Sequence, residues 1–356
     1  MRKKIEAWAS LDAGMEAWEA RAFAAAFWCD PTTGTTVFPD CLELGGRPYT
    51  SLPGNLRRVE GYLAADRCPN LVSIEGPLFI EGGLDLQGCT SLTSIRGRVE
   101  AAAVNLKGCS SLWHVPTGLT TEILDLADCL RLTLLPGGLD LMYLDLTGCS
   151  NLGELPEDMK VSEALWLTGC AGLTSLPSNL ETCNLFLEGC RSLRSLPDGL
   201  RVRDLLSLRD CSSLERLPDG LVVGGETPPP EGFIVLHGCS ELERFYCSDR
   251  RRIRQLAEMA DGFSLAGWQE LAFLPEHLEV RGTLDLTGCV NLSELPRGLR
   301  VGGNLKLTGC GSLVLLPADI LVAGDLYVPA RLFTEAVTLE MSGRVKGTVF
   351  SDGAYP

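Results

Sequence analysis

The sequence is poor in histidine, in aromatic residues and in positive charge, and it holds no long apolar run. Its three histidines, His114, His237 and His277, fall in different segments with no shared spacing. No HExxH, GxSxG, phosphate-binding loop or GxGxxG at a strand–helix junction occurs. The residue sets that zinc hydrolysis, serine nucleophiles or nucleotide phosphates require are therefore missing, and neither an enzyme nor a bound cofactor is expected. Lys and Arg number 31 against 46 Asp and Glu, a formal charge of −15. Such a field adds no affinity for phosphate backbones or anionic membrane surfaces, so nucleic acid and membrane are not expected partners. No stretch of about 18 apolar residues is present, which argues against a membrane-spanning helix. Arg2, Lys3 and Lys4 open the chain, but Glu6, Asp12, Glu16 and Glu19 follow where a secretory signal would be apolar.

Leucine and cysteine, by contrast, are plentiful and ordered. The fifteen cysteines cannot all pair within one chain, since the count is odd. A reducing, cytoplasmic compartment is expected. Eleven of them (Cys68, Cys89, Cys109, Cys129, Cys149, Cys170, Cys190, Cys211, Cys239, Cys289 and Cys310) recur at spacings of 20 or 21 residues, apart from gaps of 28 and 50. The 50-residue gap hides a further copy, "FSLAGWQELAFLPEHL", with Trp268 in the cysteine slot, which gives twelve units. Each reads roughly L-x-L-x-G-C-x-x-L-x-x-L-P-x-x-L-x-V.

In "YLDLTGC", Leu144 and Leu146 alternate with Tyr143, Asp145 and Thr147. A period of two means a strand with its leucines on one face. One strand cannot bury that face alone, but stacked neighbours make a parallel sheet over a continuous core. The cysteine turns inward as a small, apolar group. Nine units place Pro-x-x-(Leu/Met/Ile) after it, which disfavours helix, so the far side is expected to be mostly irregular or polyproline-like.

This pattern resembles the leucine-rich repeat, whose consensus accepts Asn or Cys in the same slot. Segments such as "LPRGLRVGGNLKLTGC" are similar to the short repeats of bacterial and phage proteins. The L-x-L-x-G-C-x-x-L-x-x-L-P core also resembles plant intracellular immune receptors, whose repeats are longer and which carry a nucleotide-binding domain not seen here. A tryptophan-bearing helical segment, then "FPDCLELGGRPYTSLPGNL", then short repeats, resembles in layout the secreted leucine-rich-repeat effectors of pathogenic bacteria (the YopM and IpaH kind). That resemblance implies a bacterial or phage protein acting in the cytosol of its own cell or of a host. The ligase domain of some such effectors has no room in the 28 residues after Val328.

The expected fold is thus a leucine-rich-repeat solenoid with its parallel β-sheet on a concave face. Residues 1–58 are expected to hold an N-terminal helical cap and a degenerate first repeat, 59–328 the array, and 329–356 a C-terminal cap. In the cap, Trp8, Leu11, Met15, Trp18, Ala22 and Ala25 follow helical steps and predict one apolar face. Two insertions interrupt the array. Residues 222–232 are rich in Pro and Gly and predict a loop. Residues 246–263 predict a short helix capped by Asp249, with Ile253, Leu256 and Met259 or Ala260 on its apolar side. Arg250, Arg251, Arg252 and Arg254 form the one dense basic cluster and are a candidate contact for an acidic partner. Cys247 beside them would have a lowered pKa if exposed. Asp85, Asp125, Asp145 and Asp285 share an outward strand slot, with Asn105 between the first two. A solvated polar row is the plain reading of that slot, and a cation site on Asp125 and Asp145 is the alternative.

The outward strand residues form the candidate binding surface. Tyr143, Asp145, Trp166, Phe186, Glu188, Arg209, Phe233 and His237 supply aromatic rings among charges, as interface hot spots do. Ser207 is also expected to face outward. With Arg250, Arg251 and Arg252 they are the candidate protein-binding residues of a non-enzymatic, monomeric interaction module. Two alternatives stay open: an enzyme or ubiquitin-ligase adaptor subunit acting near the insertions, and a self-assembling structural protein.

Overall fold

Every L-x-L phrase lays down a strand, and consecutive phrases pair in parallel with equivalent positions of successive repeats in register. A computed structural model describes residues 1–29, 35–53, 55–224 and 232–352, the side chains of Cys29 and Arg250 excepted. The chain divides into two compact units, Met1–Pro177 and Ser178–Pro356. Each unit is a parallel β-solenoid. In the first, seven strands stack in order: Leu42–Glu43, Leu63–Ala64, Gly83–Asp85, Ala103–Asn105, Ile123–Asp125, Asp140–Asp145 and Lys160–Trp166. In the second, eight do so: Glu181–Phe186, Arg201–Ser207, Phe233–Val235, Gly262–Ser264, Leu284–Asp285, Leu305–Lys306, Leu326–Val328 and Val349–Ser351. Leucine stands beside leucine along the inward slot: Leu84, Val104, Leu124, Leu144 and Leu165 are in register.

The far side is more regular than the prolines suggest. After each Pro-x-x-Leu turn the L-x-V pair alternates with period two, and it forms ladders of its own. Leu56–Val59, Leu78–Ile80, Val99–Glu100 and Leu119–Thr120 pair in parallel in the first unit. Glu279–Val280, Arg300–Val301 and Leu321–Val322 do so in the second. A third, two-stranded ladder joins Ser73–Glu75 to Ser94–Arg96.

The cysteine column is internal, and all eleven of its members are fully buried free thiols. They are also donors. Cys149 Sγ donates to Leu126 O of the preceding rung at 3.1 Å, and that oxygen also accepts the amide of Cys129 in its own turn, at 3.1 Å. Cys89, Cys109, Cys129, Cys170, Cys211, Cys239, Cys289 and Cys310 repeat the thiol contact at 2.8–3.2 Å. A thiol donates only while protonated, and burial ensures this by pushing Cys149 and Cys170 up to about 12. Trp268 fills the slot with an indole N–H and donates to Leu236 O at 3.0 Å. The residue before the cysteine adopts positive φ, +78° at Gly148, and Asp128 takes the same position at +60°. A short polar side chain makes that conformation tolerable.

The outward aspartates shape the strand exits. Asp125 Oδ1 accepts the amide of Ala127 at 2.9 Å and Asp145 Oδ1 that of Thr147 at 2.8 Å. Asp85, Asn105 and Asp285 make the same bond two residues on. This is an Asx turn, and an amide oxygen serves it as well as a carboxylate does. Burial raises the pKa of Asp125, and the neighbouring Asp145 raises it further, against the lowering effect of the Ala127 amide and Lys107.

At the N-terminus two helices replace the single one expected: α1, Arg2–Leu11, and α2, Ala17–Ala25. Gly14, at φ +65°, lies in the break between them. That break redirects the apolar face. Ile5, Trp8, Ala9, Ala20, Ala24 and Phe27 turn inward, whereas Leu11 and Trp18 of the predicted face are 84% and 73% exposed. Trp8 packs 5.2 Å from Tyr49 and donates its indole N–H to Ser51 O at 2.8 Å. Phe27 meets Phe38 at 4.8 Å.

Of the first insertion, Val222–Val223 pairs with Arg201–Val202, and residues 225–231 lie outside the described residues. The second holds one helix, α4, Arg250–Met259, and another, α3, Ser240–Cys247, leads into it. Asp249 caps α4 by accepting the Arg251 amide at 2.9 Å. Ile253, Leu256, Met259 and Ala260 are buried, as their spacing predicts. Residues 329–356 hold helix α5, Phe333–Met341, and then one more strand of the ladder, Val349–Ser351.

Two stability effects follow. Cys149→Ala removes a donor and leaves a small cavity, and is expected to cost about 1–2 kcal/mol in urea denaturation, whereas Cys41→Ala, at an exposed site, changes stability by less than about 0.5 kcal/mol. Asp125→Asn keeps the Asx acceptor and removes the charge. Because the folded pKa of Asp125 is raised, its ionised form opposes folding, and that penalty appears as pH rises through the folded value. The variant is expected to be more stable than wild type by roughly 0.2–1 kcal/mol at pH 7.5. Thermal melts at decreasing pH check the sign: the gap must close as Asp125 becomes protonated.

Candidate protein-binding surface

Three outward slots run along the strands of each unit. In the first unit one slot reads Gly83, Ala103, Ile123, Tyr143 and Ala164, and the next reads Asp85, Asn105, Asp125, Asp145 and Trp166. A register shift between Leu141 and Tyr143 leaves Met142 and Tyr143 both on the outside. Tyr143 stacks on Trp166 with ring centroids 6.2 Å apart and planes 24° from parallel. Ala164, opposite Tyr143 in the ladder, is buried. Ile123, beside Tyr143, is 42% exposed. Asp145 stands beside Trp166 on one side and Asp125 on the other. The first unit thus brings Tyr143, Asp145 and Trp166 together.

In the second unit the row corresponding to Trp166 reads Phe186, Ser207, Val235, Ser264, Asp285, Lys306, Tyr327 and Phe350. Phe186 and Glu188 are half-buried and Arg209 is exposed. Phe233 lies over Gly262: a Cβ at that glycine would stand 3.0 Å from the Phe233 ring. Ser207, expected to face solvent, is buried at 4% exposure, as is Ser264 at 5%. Small side chains in this slot sink between larger neighbours, here Phe186 and Val235 around Ser207, which an alternation pattern does not reveal. His237 is held by its Nδ1 against Ala266 O at 2.7 Å.

Tyr327 and Phe350 form a second stacked pair, 4.9 Å apart and 15° from parallel. Sequence reasoning missed it because residues 329–356 read as a cap. The signal was the V-F-S alternation of 349–351.

The basic cluster is largely engaged within its own unit. Arg252 donates to Phe245 O at 2.8 Å and Ser248 Oγ at 2.7 Å, and its guanidinium sits 4.0 Å over the Phe245 ring. Arg254 donates to Glu276 O at 2.7 Å. These bonds tie α4 to α3 and to the next repeat. Arg251 is exposed, and Arg250 is placed by its backbone alone. Cys247 departs from expectation: it is half-buried, and burial, then Glu243 and Glu270, push its thiol up to about 12. Arg252 and Arg254 are engaged with Phe245, Ser248 and Glu276, and the carboxylates beside Cys247 disfavour a thiolate. The buried Asp261 is satisfied by Arg281 at 3.2 Å and the Gly232 amide at 3.2 Å.

Among the described residues no three His, Cys, Asp or Glu side chains cluster as metal ligands, and no helix is long and apolar enough to cross a membrane. What the geometry offers is side chains fixed on a hydrogen-bonded ladder, with an exposed Tyr143 stacked on a half-buried Trp166 and bordered by carboxylates. No known family model matches the sequence, and no curated protein matches it.

Proposed function

We propose that the protein is a non-enzymatic binding module of leucine-rich-repeat type, which meets another protein through the strand face of its first unit. The observation that carries this reading is the Tyr143–Trp166 stack. It lies on the outer side of a ladder whose other side is filled by buried leucines. Large aromatic rings only partly covered beside charges are the usual anchors of protein interfaces. Their backbone is already ordered by pairing, so little conformational entropy is lost on binding.

The repeat identity rests on twelve units of the L-x-L phrase, eleven of them with a cysteine in the same slot, and on the column of buried thiols these create. In this reading α1 and α2 act as the cap of the first turn, through Trp8 on Tyr49 and the Arg47–Glu19 ion pair at 2.9 Å. The remaining candidates, Phe186, Glu188, Arg209, Phe233 and His237 with Arg250 to Arg252, belong to a second contact region on the other unit. A cytosolic setting agrees with fourteen free thiols among the described cysteines. The layout shared with secreted bacterial effectors makes a host protein one class of target.

The test is quantitative capture from cell extract by immobilised wild type and by a Tyr143→Ala, Trp166→Ala double variant. The partner recovered by wild type is expected to fall at least about tenfold with the double variant, as loss of two aromatic anchors implies. Unchanged circular dichroism and melting establish that the variant is folded. Equal recovery by both proteins rejects this surface.

A further inference from the structure

The first unit's strand face is specific enough to suggest what it holds, on the reading that this face is a binding surface. We infer that it takes an arginine side chain of an extended partner segment, stacked on the Tyr143–Trp166 pair and bound by the Asp125 and Asp145 carboxylates.

The slot geometry selects the ligand. Asp125, Asp145 and Trp166 are register neighbours on three consecutive strands, about 4.8 Å apart by sheet geometry. Tyr143 precedes Asp145 by two residues on the same strand and stacks on Trp166. Two carboxylates therefore lead directly to two stacked rings. In each acid one oxygen holds the strand exit, Asp125 to Ala127 and Asp145 to Thr147. That bond fixes the carboxylate plane and leaves the second oxygen for a donor from outside. No second hydrogen bond to either carboxylate occurs among the described residues.

The surrounding charge selects the sign. Glu122 and Asp128 are exposed on the same rung as Asp125. Across the five phrases 83–88, 103–108, 123–128, 143–148 and 164–169 the only cationic residue is Lys107. Burial and then the neighbouring Asp145 oppose ionisation at Asp125, and a cation lying between the two acids offsets them by its attraction. A guanidinium suits this place better than a metal ion or an ammonium. Calcium takes six to eight oxygens, and no third ligand is grouped with these two acids among the described residues. A planar guanidinium offers several donors to the two carboxylates and stacks flat on an aromatic face, which an ammonium does not.

The test uses capped heptapeptides of alternating glycine and arginine, with lysine and citrulline in place of arginine as comparisons. Titration calorimetry at 50 mM NaCl is expected to rank arginine above lysine and to detect no citrulline binding, since citrulline keeps the shape and loses the charge. Asp145→Asn and Tyr143→Leu are each expected to weaken the arginine peptide about tenfold. An Asp198→Asn, Asp219→Asn variant, which removes acids elsewhere in the chain, is expected to change nothing. Citrulline binding as tight as arginine, or arginine binding indifferent to Asp145 and Tyr143, overturns the assignment. If no arginine peptide binds while the Tyr143, Trp166 double variant still loses its captured partner, the arginine assignment falls and the binding-module reading stands. If capture is also unaffected, both fall.

Discussion

The carbonyl at the end of each inward strand pair is the point on which the repeat depends. Leu126 O and its equivalents turn into the core, where water cannot reach them, and an unbonded buried carbonyl costs about 1–3 kcal/mol. Each accepts the amide of its own turn and the thiol of the next rung. The second bond links one repeat to the following one from inside. It demands a side chain that is small, apolar enough to be buried and able to donate. Cysteine meets all three demands, and burial itself keeps it protonated. The exception obeys the same rule. Trp268 brings an N–H to the same oxygen type, and its greater bulk is accommodated where the preceding repeat is widened by α3, whose Tyr246 packs 6.3 Å from it.

An interior locked in this way frees the exterior. The slot beside Trp166 is occupied by Asp, Asn and Trp in one unit and by Phe, Ser, Val, Asp, Lys and Tyr in the other, with no change in backbone pairing. Only the aspartates and Asn105, with Ser264 less closely, add a turn bond of their own. The outward face is therefore a place where chemistry can vary at fixed geometry, which is the condition for a preorganised recognition surface.

How much of this the residues disclose depends on the range of the interaction. Local regularities are readable. The L-x-L alternation gives the strands and their inward face. The Asp249 cap and the Ile253, Leu256, Met259 spacing give α4. The recurring cysteines give a buried column, though not the carbonyl each thiol would meet, because that oxygen lies on another repeat. Properties set by neighbours on other rungs are not readable. Ser207 is buried by what flanks it across strands, the inner face of 1–28 is decided by a break near Gly14, and the Arg252 guanidinium is held by Phe245. Residues 349–351 were hidden for a different reason, since the repeat before them lacks the Gly-Cys signature.

The Asp125–Asp145 pair then poses a question that stability alone does not answer. The turn bond each makes needs only an oxygen, and Asn105 makes it with an amide at the same 3.0 Å seen for Asp85. Charge at Asp125 is opposed both by burial and by its neighbour. Fold requirements therefore favour asparagine there, yet two adjacent rungs carry carboxylates, and they do so next to the Tyr143–Trp166 stack. A charge at Asp125 that works against folding and adds nothing to the turn bond is most simply understood as serving a ligand. The inward and outward faces thus answer to different constraints: the thiol column answers to the core, and in the proposed reading the carboxylates answer to a ligand.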